Sequence, residues 1–266
     1  MRHWQRGLAR AGVVVIFVLP LFWMATAALQ RPGTPLPTAW RLWPSEPGWE
    51  NFGRIFHLLP LARYTLNSLL VVCLAVPLTL LTGSWAGFAL ARLPQPEQRR
   101  WILLSLALLM IPGIALWSTR FLVYKWLGWQ NSLLPLIAPA LLGAGPFFVL
   151  VFYRAFRRIP AAIYEAALLD GAGVWATWQR IAWPLARPTV VGVSLLALAL
   201  YWGDFLSPLL YLRDTTWYTL PVGLQQLQQM SRSDWPLLMA GAVWVTLIPV
   251  GLFLAAQPWA QRAGSQ

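Results

Sequence analysis

The sequence predicts an all-α integral membrane bundle of six transmembrane helices, and three observations lead there. Apolar residues fill 58% of the 266 positions and charged residues only 11%, against roughly 45–50% and about 25% in soluble domains. The apolar residues gather into runs long enough to cross a bilayer, which takes about 20 residues. A single acidic side chain, Asp204, interrupts these runs. Lipid offers no partner to free backbone N–H and C=O groups, so such runs must be helices or closed barrels. The ~10-residue alternating segments of a barrel are absent.

The spans are expected at 11–29, 64–91, 101–119, 133–153, 189–212 and 235–256. Arg2, Arg6 and Arg10 precede the first, and "ATAAL" near its end resembles a signal-peptidase site. Its apolar stretch of about 19 residues exceeds the 7–15 of a signal-peptide core, which favours a retained helix. The following segment, 30–63, is rich in Pro, Gly and Trp and predicts an ordered loop with a short helix around Trp49–Leu59. It suits the reception of an external protein, or the headgroup layer.

The second span carries Asn67, Ser68, Thr79, Thr82 and Ser84, which suit either a polar path or interhelical hydrogen bonding. Pro20, Pro77, Pro112, Pro139, Pro146 and Pro249 predict bends, and Gly83, Gly87, Gly143 and Gly145 predict bending or close packing. In the fifth span Asp204 is a candidate functional group by its depth, although capping of a helix break is the favoured role. Beside it, Tyr201 and Trp202 suit stacking on a solute or anchoring at the interface.

Charge sets the expected orientation. Twelve Lys and Arg lie on the side holding both termini, the 92–100 loop and the 154–187 loop, against eight opposite. The positive-inside bias puts the twelve in the cytoplasm. The net charge of +12 therefore reports topology, and no basic groove with interleaved aromatics points to nucleic acid.

The 158–188 loop, "RIPAAIYEAALLDGAGVWATWQRIAWPLARP", is too apolar for a solvated connection. Pro160 suits a helix start, and Ala161–Leu169 should form two to three turns with Glu165 near the positive N-terminal end. Gly171 and Gly173 should stop it, Gly171 with φ > 0. A second segment, Val174–Ile181, should end at Pro184. Ala162, Ala166 and Leu169 make one narrow apolar face. A helix this short is unstable alone, and its natural home is a groove in another protein.

These residues resemble a known family. "EAALLDG", nine residues, then "IAWP" is similar to the EAA loop of permease subunits from binding-protein-dependent ABC importers, the carbohydrate (maltose-permease-like) type among them. The matching positions are Glu165, Ala166, Ala167, Gly171, Ile181 and Pro184, with Trp183 where the pattern has Leu. "WAGFALARLP", "LGWQNSLLPLIAP" and "YWGDFLSPLLYL" resemble further segments of the family, and Asp170 belongs to the D-G-A form usual in sugar importers.

The resemblance implies one permease domain over 1–266 in the bacterial inner membrane, with both termini cytoplasmic, carrying a sugar or related solute. It implies that the 158–188 loop is a coupling helix docking in a cytoplasmic ATPase, with Glu165 as charged anchor, Gly171 as turn, and Asp170, Ile181 and Pro184 supporting. The implied partners are a second homologous permease, two ATPase subunits that bind ATP and Mg, and an extracytoplasmic binding protein. A possible solute path would include Asn67, Tyr201, Trp202 and Asp204. An importer of polyamines or phosphate esters is the alternative within the class, and an ion-coupled carrier the alternative outside it.

The chain lacks G-x-x-x-x-G-K-[ST], G-x-S-x-G and H-E-x-x-H. His3 and His57 are far apart and expected on opposite sides of the membrane, and Cys73 stands alone, so no metal site or internal disulfide is expected. No catalytic residues and no cofactor of its own are expected in the chain.

Overall fold

The computed structural model describes residues 2–35, 42–230 and 233–264, and among them every regular element is helical. Two compact units emerge, one from Met1–Leu66 with Tyr218–Gly251 and the other from Asn67–Trp217 with Leu252–Gln266.

In the first unit, α1 (Arg2–Ala28) carries the first apolar run and α2 (Glu50–Leu58) is the short helix expected near Trp49–Leu59. Residues 36–41 of that loop lie outside the described residues. The loop is tied down by a buried amide: Asn51 Nδ2 donates to the carbonyls of Ala28 (2.9 Å) and Gln30 (2.7 Å). Arg54 pairs with Asp234 at 2.8 Å. Asp234 also accepts the Leu237 N–H at 3.3 Å, capping the start of the last helix.

The second unit holds most of α3 (Leu61–Arg92), followed by α4 (Gln95–Leu109), α5 (Trp117–Trp126), α6 (Leu134–Ile137) and α7 (Pro146–Arg157). The helical runs Leu61–Arg92, Leu134–Arg157 and Trp235–Ala255 are each long and apolar enough to cross a membrane. The third expected span, 101–119, is not one straight helix. Helix α4 stops at Leu109, and the next helical piece turns away by 88°. Pro112 explains the break, because it lacks an N–H and forces its predecessor out of helical geometry.

Close packing of α3 on α7 depends on glycine. A Cβ on Gly87 would lie 2.7 Å from Phe152 Cβ and 2.8 Å from both the Tyr153 N and the Val149 O. Gly143 and Gly145 take positive φ, 68° and 130°, where the 133–153 run breaks before α7. Thr82 serves as the interhelical tie here. Its hydroxyl lies 2.7 Å from the Ala140 carbonyl and accepts the Gly143 N–H at 3.2 Å. The buried core of this unit is aromatic, with Phe88, Phe148, Phe152 and Phe156 packed with Tyr164 and Trp178.

The chain continues through α8 (Ala161–Leu169), α9 (Val174–Thr177), a π-helical turn (Trp178–Ala182) and α10 (Trp183–Leu185), then α11 (Arg187–Trp202) and α12 (Leu206–Tyr211). In the first unit α13 (Leu220–Met230) follows, and α14 (Trp235–Gly264) begins there, its residues from Leu252 counted with the second unit. Tyr64 presses against Gly223 of α13, where a Cβ would meet the ring at 2.5 Å.

Candidate functional site

The hairpin between α7 and α11 is built much as its residues require, with two corrections. Helix α8 runs from Ala161 to Leu169 as expected, with Pro160 at its N-cap and an extended ψ of 138°. Glu165, expected near the positive N-terminal end, instead falls in the second turn, and the first turn holds no acid. The second correction concerns Pro184, which was expected to end the second limb. The limb runs on to Leu185, because a π turn precedes the proline and the Trp183 N–H reaches back to the Trp178 carbonyl. Widening the helix before a proline relieves the clash that would otherwise break it.

Gly171 turns the chain as expected. Its φ is +75°, its N–H donates to Leu168 O at 3.0 Å, and the Ala172 N–H donates to Ala167 O at 2.9 Å. These two bonds form a Schellman cap, which demands a left-handed residue at this position. The second limb meets α11 at 82° across Ala186, so it lies across the end of that helix.

Burial separates two faces of α8. Tyr164 and Ala167 face the core, while Ala162, Glu165, Ala166, Leu169 and Asp170 are exposed. Leu169 is 88% exposed, and Leu168 and Val174 are each 69% exposed. The apolar stripe Ala162–Ala166–Leu169 is thus the outward one. Ile181 and Pro184 are half-buried on the second limb. Trp183, the departure from the family pattern, stacks on Phe152 with centroids 6.4 Å apart and meets Trp178 edge-on at 5.3 Å. The larger ring is accommodated because its neighbours are flat.

Sequence reasoning missed Tyr164, which holds α8 in place. Its hydroxyl donates to the Phe156 carbonyl at 3.2 Å, its ring meets Phe88 at 6.1 Å, and Arg92 lies over its face at 4.6 Å. Burial raises the phenol's pKa, while the Arg92 charge acts in the lowering direction, so the hydroxyl remains a donor at physiological pH. The available signal was its place as the one aromatic of α8, three residues before Ala167. Tyr164→Phe should therefore lower the melting stability of the chain by about 1 kcal/mol and leave the hairpin docked, as read by thermal unfolding in detergent.

The residues singled out for a solute path are hydrogen-bonded or buried within the second unit. Asn67 donates to the Thr216 carbonyl at 2.9 Å, and the Tyr201 hydroxyl lies 3.1 Å from that of Thr79. Trp202 is buried at the end of α11. Asp204 accepts the Ser207 N–H at 3.1 Å, the capping role that sequence favoured at the break between α11 and α12. Asn131, within a family-like segment, adopts a positive φ of 55° and accepts the N–H groups of Arg213 (2.7 Å) and Asp214 (3.4 Å). It latches two loops, which spacing alone did not reveal.

Known proteins resemble this chain in sequence and in fold. The chain is 30% identical to the diacetylchitobiose uptake system permease protein NgcG of Streptomyces coelicolor over 89% of its own length and 78% of that protein's. It is 28% identical to the trehalose transport system permease protein SugB of Mycobacterium tuberculosis, covering 91% of this chain and 88% of that one. In fold it matches a chain of the bacterial alginate ABC transporter crystallised with an alginate pentasaccharide-bound periplasmic protein. That match has a TM-score of 0.71 and 16% identity, and covers 98% of this chain and 95% of the other. Residues 1–263 match the family described as binding-protein-dependent transport system inner membrane component, and with these relatives the chain belongs to that family, the membrane permeases of ABC importers.

Proposed function

We propose that this chain is the permease subunit of a carbohydrate importer and that its α8–α10 hairpin couples ATP hydrolysis on partner subunits to solute movement. The observation that carries the coupling role is the apolar tip of the hairpin. Leu168, Leu169 and Val174 lie exposed beside the exposed carboxylates of Glu165 and Asp170. Burying each such apolar side chain in a partner contributes about 1.5–3 kcal/mol, and Glu165 supplies charge complementarity. The partner that fits is a cytoplasmic ATPase subunit, two copies of which hold ATP and Mg. A second homologous permease completes the pathway, and an extracytoplasmic binding protein delivers the solute. Asn67, Tyr201, Trp202 and Asp204 remain the proposed path residues. The sugar or oligosaccharide substrate is supported by the relatives named above. Rigid-body motion of a docked hairpin biases inward- and outward-facing packing through contacts that differ between the two states.

The energy source tests this reading. The purified chain alone should hydrolyse no ATP, whereas the assembled complex should, faster with loaded binding protein. Uptake by this chain alone, driven by an ion gradient, overturns it.

Orientation has its own check. Gln179 is exposed on the second limb, and the charge bias puts it in the cytoplasm with both termini. Gln179→Cys in a Cys73→Ser background should react with an impermeant maleimide only after cells are opened. Labelling of intact cells reverses the topology and removes the ATPase from reach.

A further inference from the structure

Helix α3 ends at Arg92 and the helical run Leu134–Arg157 ends at Arg157. Together with α8 these ends border an open cavity of about 320 Å³, lined by the exposed Arg92, Arg157 and Glu165 among others. Phe156, Ile159 and Leu168 supply much of its apolar wall. Both runs are long and apolar enough to cross a membrane. A span that gives way to arginine marks the polar boundary of the bilayer, so the cavity opens at headgroup level.

Its charges are unspent. Among the described residues no carboxylate pairs with Arg92 or Arg157, and no cation pairs with Glu165. The Tyr164 ring beneath Arg92 orients that guanidinium without neutralising it. Two arginines against the single carboxylate of Glu165 leave the cavity lining net positive, which suits a phosphate, whose oxygens accept several charge-assisted hydrogen bonds at once. An apolar track leads away from it. Leu74, Leu81 and Trp85 are exposed, and at 7, 4 and 7 residues' spacing they share one face of α3 with Arg92.

We infer that the Arg92–Arg157 cavity holds the phosphodiester headgroup of a membrane phospholipid whose acyl chains lie along the Leu74–Leu81–Trp85 stripe. The phosphate occupies the cavity between the arginines, and the lipid wedges between the ends of the two spans and the base of α8. Such a site requires only that the chain span a bilayer, although Glu165 and Leu168 border both this cavity and the hairpin's proposed docking tip.

The test uses the full chain reconstituted in phosphatidylglycerol bilayers, released into mild detergent and assayed by native mass spectrometry for retained phospholipid. The unaltered chain should keep one tightly held lipid. Arg157→Lys, which preserves the charge, and Arg154→Gln, which removes an arginine outside the cavity, should keep it too. Arg157→Gln should hold it about tenfold more weakly, the loss expected for one charge-assisted bond. Equal retention by Arg157→Gln overturns the assignment. Displacement of the lipid by millimolar inorganic phosphate makes this a free-anion site and overturns it as well. Unchanged lipid retention with weakened ATPase attachment in Arg157→Gln means that an acidic side chain of the ATPase fills the cavity, again overturning the lipid.

Discussion

Gly171→Val and Glu165→Lys should each abolish transport while leaving the chain inserted and folded. At Gly171 the cost is one of backbone conformation. A Cβ there meets nothing within 4 Å, yet φ is +75°, and a β-branched residue in that region is strained by about 1–2 kcal/mol or more. The Schellman cap opens, and Leu168 and Leu169 no longer present themselves in register. At Glu165 the side chain is exposed, so reversal to lysine costs the isolated chain almost nothing. In a docked interface the same reversal buries a mismatched charge at several kcal/mol. Both variants should therefore fold and insert, Glu165→Lys melting normally and Gly171→Val only slightly early, but both should release the ATPase subunits on membrane washing. Compensating mutations should map to the ATPase surface that receives α8. Normal transport with firmly bound ATPases in both variants removes the coupling role.

The second large effect is expected inside the bundle. Gly87→Val should prevent stable folding, because the new Cβ would meet Phe152 Cβ at 2.7 Å and two backbone atoms of α7 at 2.8 Å. Backbone cannot swing aside as a flexible side chain does, and overpacking in a tight core costs about 1–3 kcal/mol even where it can be relieved. Gly83 provides the contrast on the same helix. A Cβ there has its nearest neighbours at 3.7 Å, ordinary contact, so Gly83→Ala should be tolerated. Yield and melting temperature in detergent read the difference. Equal behaviour of the two variants would mean that α3 and α7 do not pack backbone against glycine.

The two experiments separate faults in coupling from faults in packing. A variant that transports poorly but melts normally points to the hairpin's outer face. One that melts early points to the α3–α7 contact or to the aromatic core beneath α8.

Much of this protein was legible in its residues. Long apolar runs dictated helices, because lipid leaves backbone groups no other partners. Glycine at position 171 dictated a left-handed stop, since the required φ excludes other residues at low cost. The short helix at Glu50–Leu58 and the cap at Asp204 followed from similarly local chemistry.

Tertiary structure decided the rest. Periodicity marked Ala162, Ala166 and Leu169 as one apolar face, but α8 is apolar on nearly every side, so only packing could show that Tyr164 and Ala167 turn inward and the stripe outward. Pro184 reads as a helix end in sequence, yet a π turn carries the limb past it. The right-angle break before α5 and the latch at Asn131 depend on where distant segments lie. In a chain this apolar the hydrophobic pattern identifies what is helical but discriminates poorly among lipid, neighbour and partner as the surface each helix faces, because all three are nearly equally apolar.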